Sequence, residues 1–211
     1  MTTARVAPTD DRRRLSLTLL ACVCASISGL ALGLHAVGWL PMYFLIDLLA
    51  APSLALLLIV GIIAHRINER VFLNRLIVGA WGGLAATFAY DAIRFVLWVA
   101  GALSGNPFWT HPIFGQLITG QPTDSATAIA VGWAYHFWTG FGFGIMYTLV
   151  AGRAHWYYAL GWAMFLEIGW LTALPSTLQF KLSAEILGLS VIGHGAYGIV
   201  LGVIARRFVD V

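Results

Sequence analysis

Two carboxylates and two histidines stand in matched positions along this chain. Asp91 precedes His136, Gly140 and Gly144, and Glu167 precedes His194, Gly198 and Gly202, so each acid is followed on the next apolar segment by a His-x3-Gly-x3-Gly run. An ionisable group in hydrocarbon is costly without a partner, and four of them in repeated context point to a site. Carboxyls can give or take a proton, and imidazoles can relay one or ligate a metal. Arg94 lies three residues after Asp91 and therefore on its face, where a local ion pair would ease insertion of both charges. Asp91 thus has a cation beside it and Glu167 has none, a difference that could divide the roles of base and acid.

The expected ligand-binding set is Asp91, Arg94, His136, Glu167 and His194, with Asp91 and Glu167 as proton-transfer groups should the protein be an enzyme. His136 and His194 are the expected ligands of a transition metal or haem iron, and they would have to meet through tertiary structure. His111 is the one further histidine that could join them from the outer side. The glycines spaced four apart after each histidine read as close helix contacts, as do Gly79, Gly83 and Thr87 leading to Asp91.

Such groups must be positioned by apolar elements. Of 211 residues, 60% are hydrophobic and 10% charged, far from the quarter or so charged in soluble domains, which makes the chain an integral membrane protein. A spanning helix needs about 20 apolar residues. Six such stretches fit, over Leu15 to Val37, Tyr43 to Ala64, Leu76 to Leu103, Ala128 to Val150, Trp156 to Leu174 and Glu185 to Ala205. Counting along them at about 1.5 Å per residue puts the two acids and two histidines between the midplane and the outer third.

With six spans, Arg5, Arg12, Arg13, Arg14, Arg66, Arg70, Arg75, Arg153, Arg206 and Arg207 share one face, and Lys181 alone falls on the other. Basic residues stay cytoplasmic, so both termini are expected in the cytoplasm of a bacterial inner membrane. The net charge of +3 then reports topology and lipid contact, and gives no reason to expect nucleic acid. Cys22 and Cys24 read as small apolar fillers. The fold class is an all-α polytopic bundle, in which the third and fourth spans and the fifth and sixth can be read as a parallel two-helix repeat.

In domain terms, residues 1–14 read as a disordered tail, 15–75 as an N-terminal helical hairpin, 76–205 as a four-helix core and 206–211 as a second tail. The outer connection 104–127 has an apolar centre too short to span, which reads as a headgroup-level cover held by Phe108 and Trp109 or as a re-entrant lid. Trp39 and Trp156 are expected at the interfaces as well, whereas Trp81, Trp98, Trp133, Trp138, Trp162 and Trp170 could line a pocket.

The Ala-Thr-x3-Asp stretch ending at Asp91, the Gly-Trp-x2-His run ending at His136, then Tyr147, Pro175 and His194-x3-Gly198 resemble a widespread bacterial membrane-protein family known only as a domain of unknown function. The resemblance covers about residues 76–205 and implies a four-helix core around Asp91, His136 and His194, with no established activity. Arg94 and Glu167 are not positions it carries.

Four functions remain open at this point. The site could bind a small lipid-soluble ligand with proton exchange, as a transporter or carrier, with a homodimer as one means of enlarging a small bundle. It could be an intramembrane acid–base enzyme acting on an isoprenoid or similar lipid. It could hold haem or a metal through His136 and His194. A purely structural subunit would need none of these groups.

Overall fold

The structure, a computed structural model, describes residues 8–178 and 180–210. Seven helices follow one another: α1 (Pro8–Ala36), α2 (Met42–Arg66), α3 (Arg70–Val99), α4 (Thr110–Thr119), α5 (Ala126–Ala151), α6 (Trp156–Thr177) and α7 (Ala184–Phe208), with no strand among the described residues. Long apolar runs take this form because a helix satisfies its own backbone donors and acceptors where no water can.

Four of them, the stretch Arg12–Ala36 of α1 together with α2, α3 and α7, are long and apolar enough to cross a membrane. Helices α5 and α6 have 26 and 22 residues and are rich in aromatic side chains. The outward faces carry residues such as Val23, Leu58, Phe88, Phe165 and Ile168, all more than half exposed, a density of apolar side chains that suits lipid contact.

The expected N-terminal tail is shorter than read from composition. Residues 1–7 lie outside the described residues, and Pro8 to Arg14 already belong to α1. Proline is well placed in a first turn, where its missing N–H has no intrahelical use. Likewise α3 starts at Arg70 and α7 runs to Phe208, so the helices extend past the apolar stretches into polar ends. Residue 211 of the expected C-terminal tail lies outside the described residues.

Helix α3 is the centre of the bundle, packed on α5 along one side and α7 along the other. Helix α6 lies on α7, α1 on α2 and α5, and α4 on α5, whereas α5 and α6 meet through long side chains, as Phe143 does with Trp162 and Trp170, and not backbone to backbone. At one end the helix termini are tied together: Arg14 Nε pairs with Glu69 Oε2 at 3.2 Å, Asn74 Nδ2 donates to the Phe208 carbonyl at 3.1 Å, and Arg153 Nε donates to that of Arg206 at 2.9 Å.

Close backbone approach sets the α3–α5 register. A Cβ on Gly83 would overlap the Gly140 carbonyl oxygen, one on Gly144 would overlap that of Gly79, and one on Gly140 would strike the Thr87 hydroxyl. Helix α4 docks by the same device, since a Cβ on Gly115 would meet the Ala128 carbonyl and one on Gly132 that of His111. The apolar centre of the outer connection is therefore folded back against α5, with His111, Phe114 and Gly115 buried.

Candidate functional site

Asp91 on α3 faces His136 on α5. The imidazole Nε2–H donates to Asp91 Oδ2 at 3.0 Å and Oδ1 at 3.2 Å, and the carboxylate is 8% exposed. Arg94, one turn further along α3, brings Nη1 to 3.9 Å from Asp91 Oδ1. Its guanidinium also lies over the rings of Tyr90 and Phe108 and donates to the Pro107 carbonyl. A buried charge needs such a set of partners, and here they tie the connection before α4 to the middle of the bundle.

From α4 comes His111, 1% exposed. Its Nδ1–H donates to the Phe108 carbonyl at 3.0 Å, which leaves Nε2 as the free ring nitrogen. The ring stacks on Trp133, with centroids 4.2 Å apart and planes at 8°, and stands edge-on to His136 with centroids at 4.3 Å. Burial, with His136 and Arg94 beside it, pushes its pKa down to about 2, so this imidazole is neutral at any ordinary pH. One donor atom from each of Asp91, His111 and His136 lies within 4.8 Å of the other two.

Glu167 on α6 and His194 on α7 form the second pair. His194 Nδ1 is 2.7 Å from Glu167 Oε2 and 3.1 Å from the Ser190 carbonyl, and the Ser190 hydroxyl donates to the same carboxylate oxygen at 2.8 Å. A ring nitrogen facing two acceptors carries the proton, so Nε2 is the open position of His194. Glu167 is 2% exposed, and its Oε1 has no hydrogen-bond partner among the described residues.

The two pairs share one construction. On α5, Gly140 meets Thr87, four residues before Asp91, and Gly144 meets Gly83, eight before it; on α7, Gly198 meets Ala163, four before Glu167, and Gly202 meets Ala159, eight before it. Each acid therefore reaches its histidine across the same helix register. The copies differ in the nitrogen used, Nε2 in His136 and Nδ1 in His194, and in the residue one turn before the acid, Thr87 against Ala163.

The repeat is not carried through the whole bundle. Helix α3 packs closely on α7, yet α6 stands off from α5 and reaches it only through long side chains such as Trp162 and Trp170 on Phe143. A cavity of about 150 Å³ is lined from both of these helices, with Tyr135, Phe143, Leu166 and Trp170 among its apolar walls and Trp109 and Phe180 toward the outer connection. Thr87, Arg94, His136, Ser190 and His194 supply its polar groups. A space of this size holds about one aromatic ring.

Of the residues expected from sequence, Asp91, Arg94 and His136 come together, and Glu167 and His194 come together. The two histidines do not join each other: each ring rests on Tyr90, with centroids 5.7 Å from His136 and 5.1 Å from His194. His111 joins the first pair from the outer side. Trp109 lines the cavity and packs on Phe180 with centroids 5.2 Å apart. Tyr90, Ser190 and Tyr197 were missed by reasoning from charged groups alone. The spacing does contain them, since Tyr90 adjoins Asp91, Ser190 lies one turn before His194 and Tyr197 three residues after it. Cys22 and Cys24 are free thiols away from the site.

A comparison with models of protein families, with curated proteins and with solved structures finds no match.

Proposed function

We propose that this chain is a six-span protein of the bacterial cytoplasmic membrane that binds a small lipid-soluble ligand with a ring-sized head and exchanges a proton with it. One observation carries the reading: two imidazoles, each backed by its own buried carboxylate, line one apolar-walled cavity. Supporting the topology, α5 and α6 at about 1.5 Å per residue exceed the ~30 Å hydrocarbon core, and the arginine-bearing helix ends are gathered at one end of the bundle. Both termini are then cytoplasmic and the cavity belongs to the outer half. Membership of the bacterial family of unknown function is part of the same proposal.

The proton step falls to the Glu167–His194 pair. A ligand hydroxyl reaching His194 Nε2 gives up its proton to that nitrogen, while Nδ1–H stays directed at Glu167 and the carboxylate stabilises the imidazolium. The Ser190 hydroxyl holds the carboxylate from a second side. Aromatic walls exclude water, so the proton passes between ligand and histidine without bulk solvent.

The test is to purify the protein in native lipid, extract bound small molecules with organic solvent and compare their mass spectra with those from Leu171→Trp, which fills the cavity wall. A lipid-soluble molecule recovered near one per chain and lost from Leu171→Trp is the expected result. Identical extracts from the two proteins would overturn the reading.

A further inference from the structure

We infer that Asp91, His111 and His136 form a binding site for a divalent transition metal, so that the two acid–histidine pairs do different work. Two imidazoles and one carboxylate with their donor atoms within 4.8 Å of one another are the ligand set of mononuclear zinc and non-haem iron sites. His194 is not a member of this group, which sets it apart from a centre shared by the two repeat histidines.

Three features beyond proximity support the assignment. His111 has its Nδ1–H held by a backbone carbonyl, the arrangement that fixes a ligating histidine in the tautomer with Nε2 free. Its plane is set by the stack on Trp133 and its depth by the Gly115 and Gly132 contacts, so the ring is placed before any ion arrives. Among the described residues the second pair has no further histidine within reach as a third ligand, and Glu167 is held instead by the Ser190 hydroxyl, which donates to the carboxylate.

Binding requires little rearrangement. His136 takes the tautomer with its proton on Nδ1, Nε2 turns its lone pair to the metal, and the metal replaces the hydrogen bridge to Asp91. Arg94 stays on the far oxygen as the residue that orients the carboxylate. Arg94 beside the Asp91 carboxylate leaves the cluster short of negative charge to offset a dication. His111, His136 and Arg94 line the cavity, so a further ligand such as hydroxide could reach an ion held here from that side and offset its charge.

The inference stands on these three residues and does not require the ligand proposed above. Its test is to strip the purified protein with a chelator, reload it with Zn²⁺ or Co²⁺ alone, and measure metal per chain together with the ligand-field bands of Co²⁺. Wild type, Glu167→Gln and His194→Ala should each hold one ion per chain. His111→Ala and Asp91→Asn should lose affinity by more than about tenfold, the loss that follows even from removing a residue that only orients a ligand. Should His111→Ala aggregate, His111→Gln keeps a polar side chain of similar reach and must show the same loss. Substoichiometric metal in wild type, binding indifferent to His111, or equal loss from His194→Ala would each overturn the site. A cavity that yields no lipid-soluble ligand while Co²⁺ still binds would end the functional reading and leave this one standing.

Discussion

His136 donates to the Asp91 carboxylate at 3.0 Å across a seam in which α3 and α5 meet backbone to backbone. The length of that bond follows from the helix register, which the glycines make possible.

Adding a methyl group in this seam should therefore disturb the pair from a distance. Gly144→Ala puts a Cβ onto the Gly79 and Gly83 backbones, and overpacking of this kind costs about 1–3 kcal/mol. Gly188→Ala on α7 meets nothing within 4 Å and should be neutral or mildly stabilising, as alanine is the better helix former. Thermal unfolding of both variants in one detergent would show the contrast, and equal melting temperatures would count against the seam.

Neutralising the two acids should not have equal effects. Asp91→Asn leaves the Arg94 cation, 6% exposed, without its ionic partner, and breaking a buried pair costs about 3 kcal/mol. Glu167→Gln strands no arginine, and its amide can still accept from Ser190 and His194, so about 1 kcal/mol is expected. The order of the two melting temperatures is the measurement, with Asp91→Asn the lower.

Arg94→Met should release the outer connection while the helices hold. The guanidinium reaches Pro107 and lies over Phe108, so its loss frees the segment that leads into α4. Hydrogen–deuterium exchange should rise across residues 101–125 and remain slow in the centre of α3; a uniform rise along the chain would contradict a local anchor.

Tyr197→Phe removes one buried link between α7 and α5. The phenol donates to the Gly140 carbonyl at 2.8 Å, and deleting such a bond costs about 1 kcal/mol. Tyr135→Phe, which loses a bond of 2.8 Å to the Ser28 carbonyl, should cost about the same and weaken the α1–α5 contact instead. A double variant should show additive losses in denaturant unfolding, because the two bonds lie on different interfaces.

Much of this arrangement could be read from residue types and spacing. Apolar length and the basic ends marked the helices, and the paired His-x3-Gly-x3-Gly runs marked both seams, because period four keeps residues on one helix face. The identity of each histidine's partner was harder to read. Asp91 and Glu167 each had two histidines within plausible depth, and only tertiary packing decides that Tyr90 occupies the space next to both rings. His111 was legible as a histidine near the site, but its docking depends on Gly115 and Gly132, two glycines whose spacing matches no helix period because they lie on different helices. Composition also shortened α1, since a proline reads as a tail residue until it is recognised as fitting a helix's first turn.

The wider spacing of α5 and α6, bridged by side chains alone, gives the bundle one compliant wall beside two stiff seams. A bilayer that thickens, thins or changes lateral pressure tilts helices against one another, and the movement will collect where packing is weakest. The acid-to-imidazole spacings, held by glycine-lined seams, would change little, while the cavity volume would respond. Under the proposed function, lipid composition would control how large a head the cavity accepts, separately from the proton step assigned to the Glu167–His194 pair.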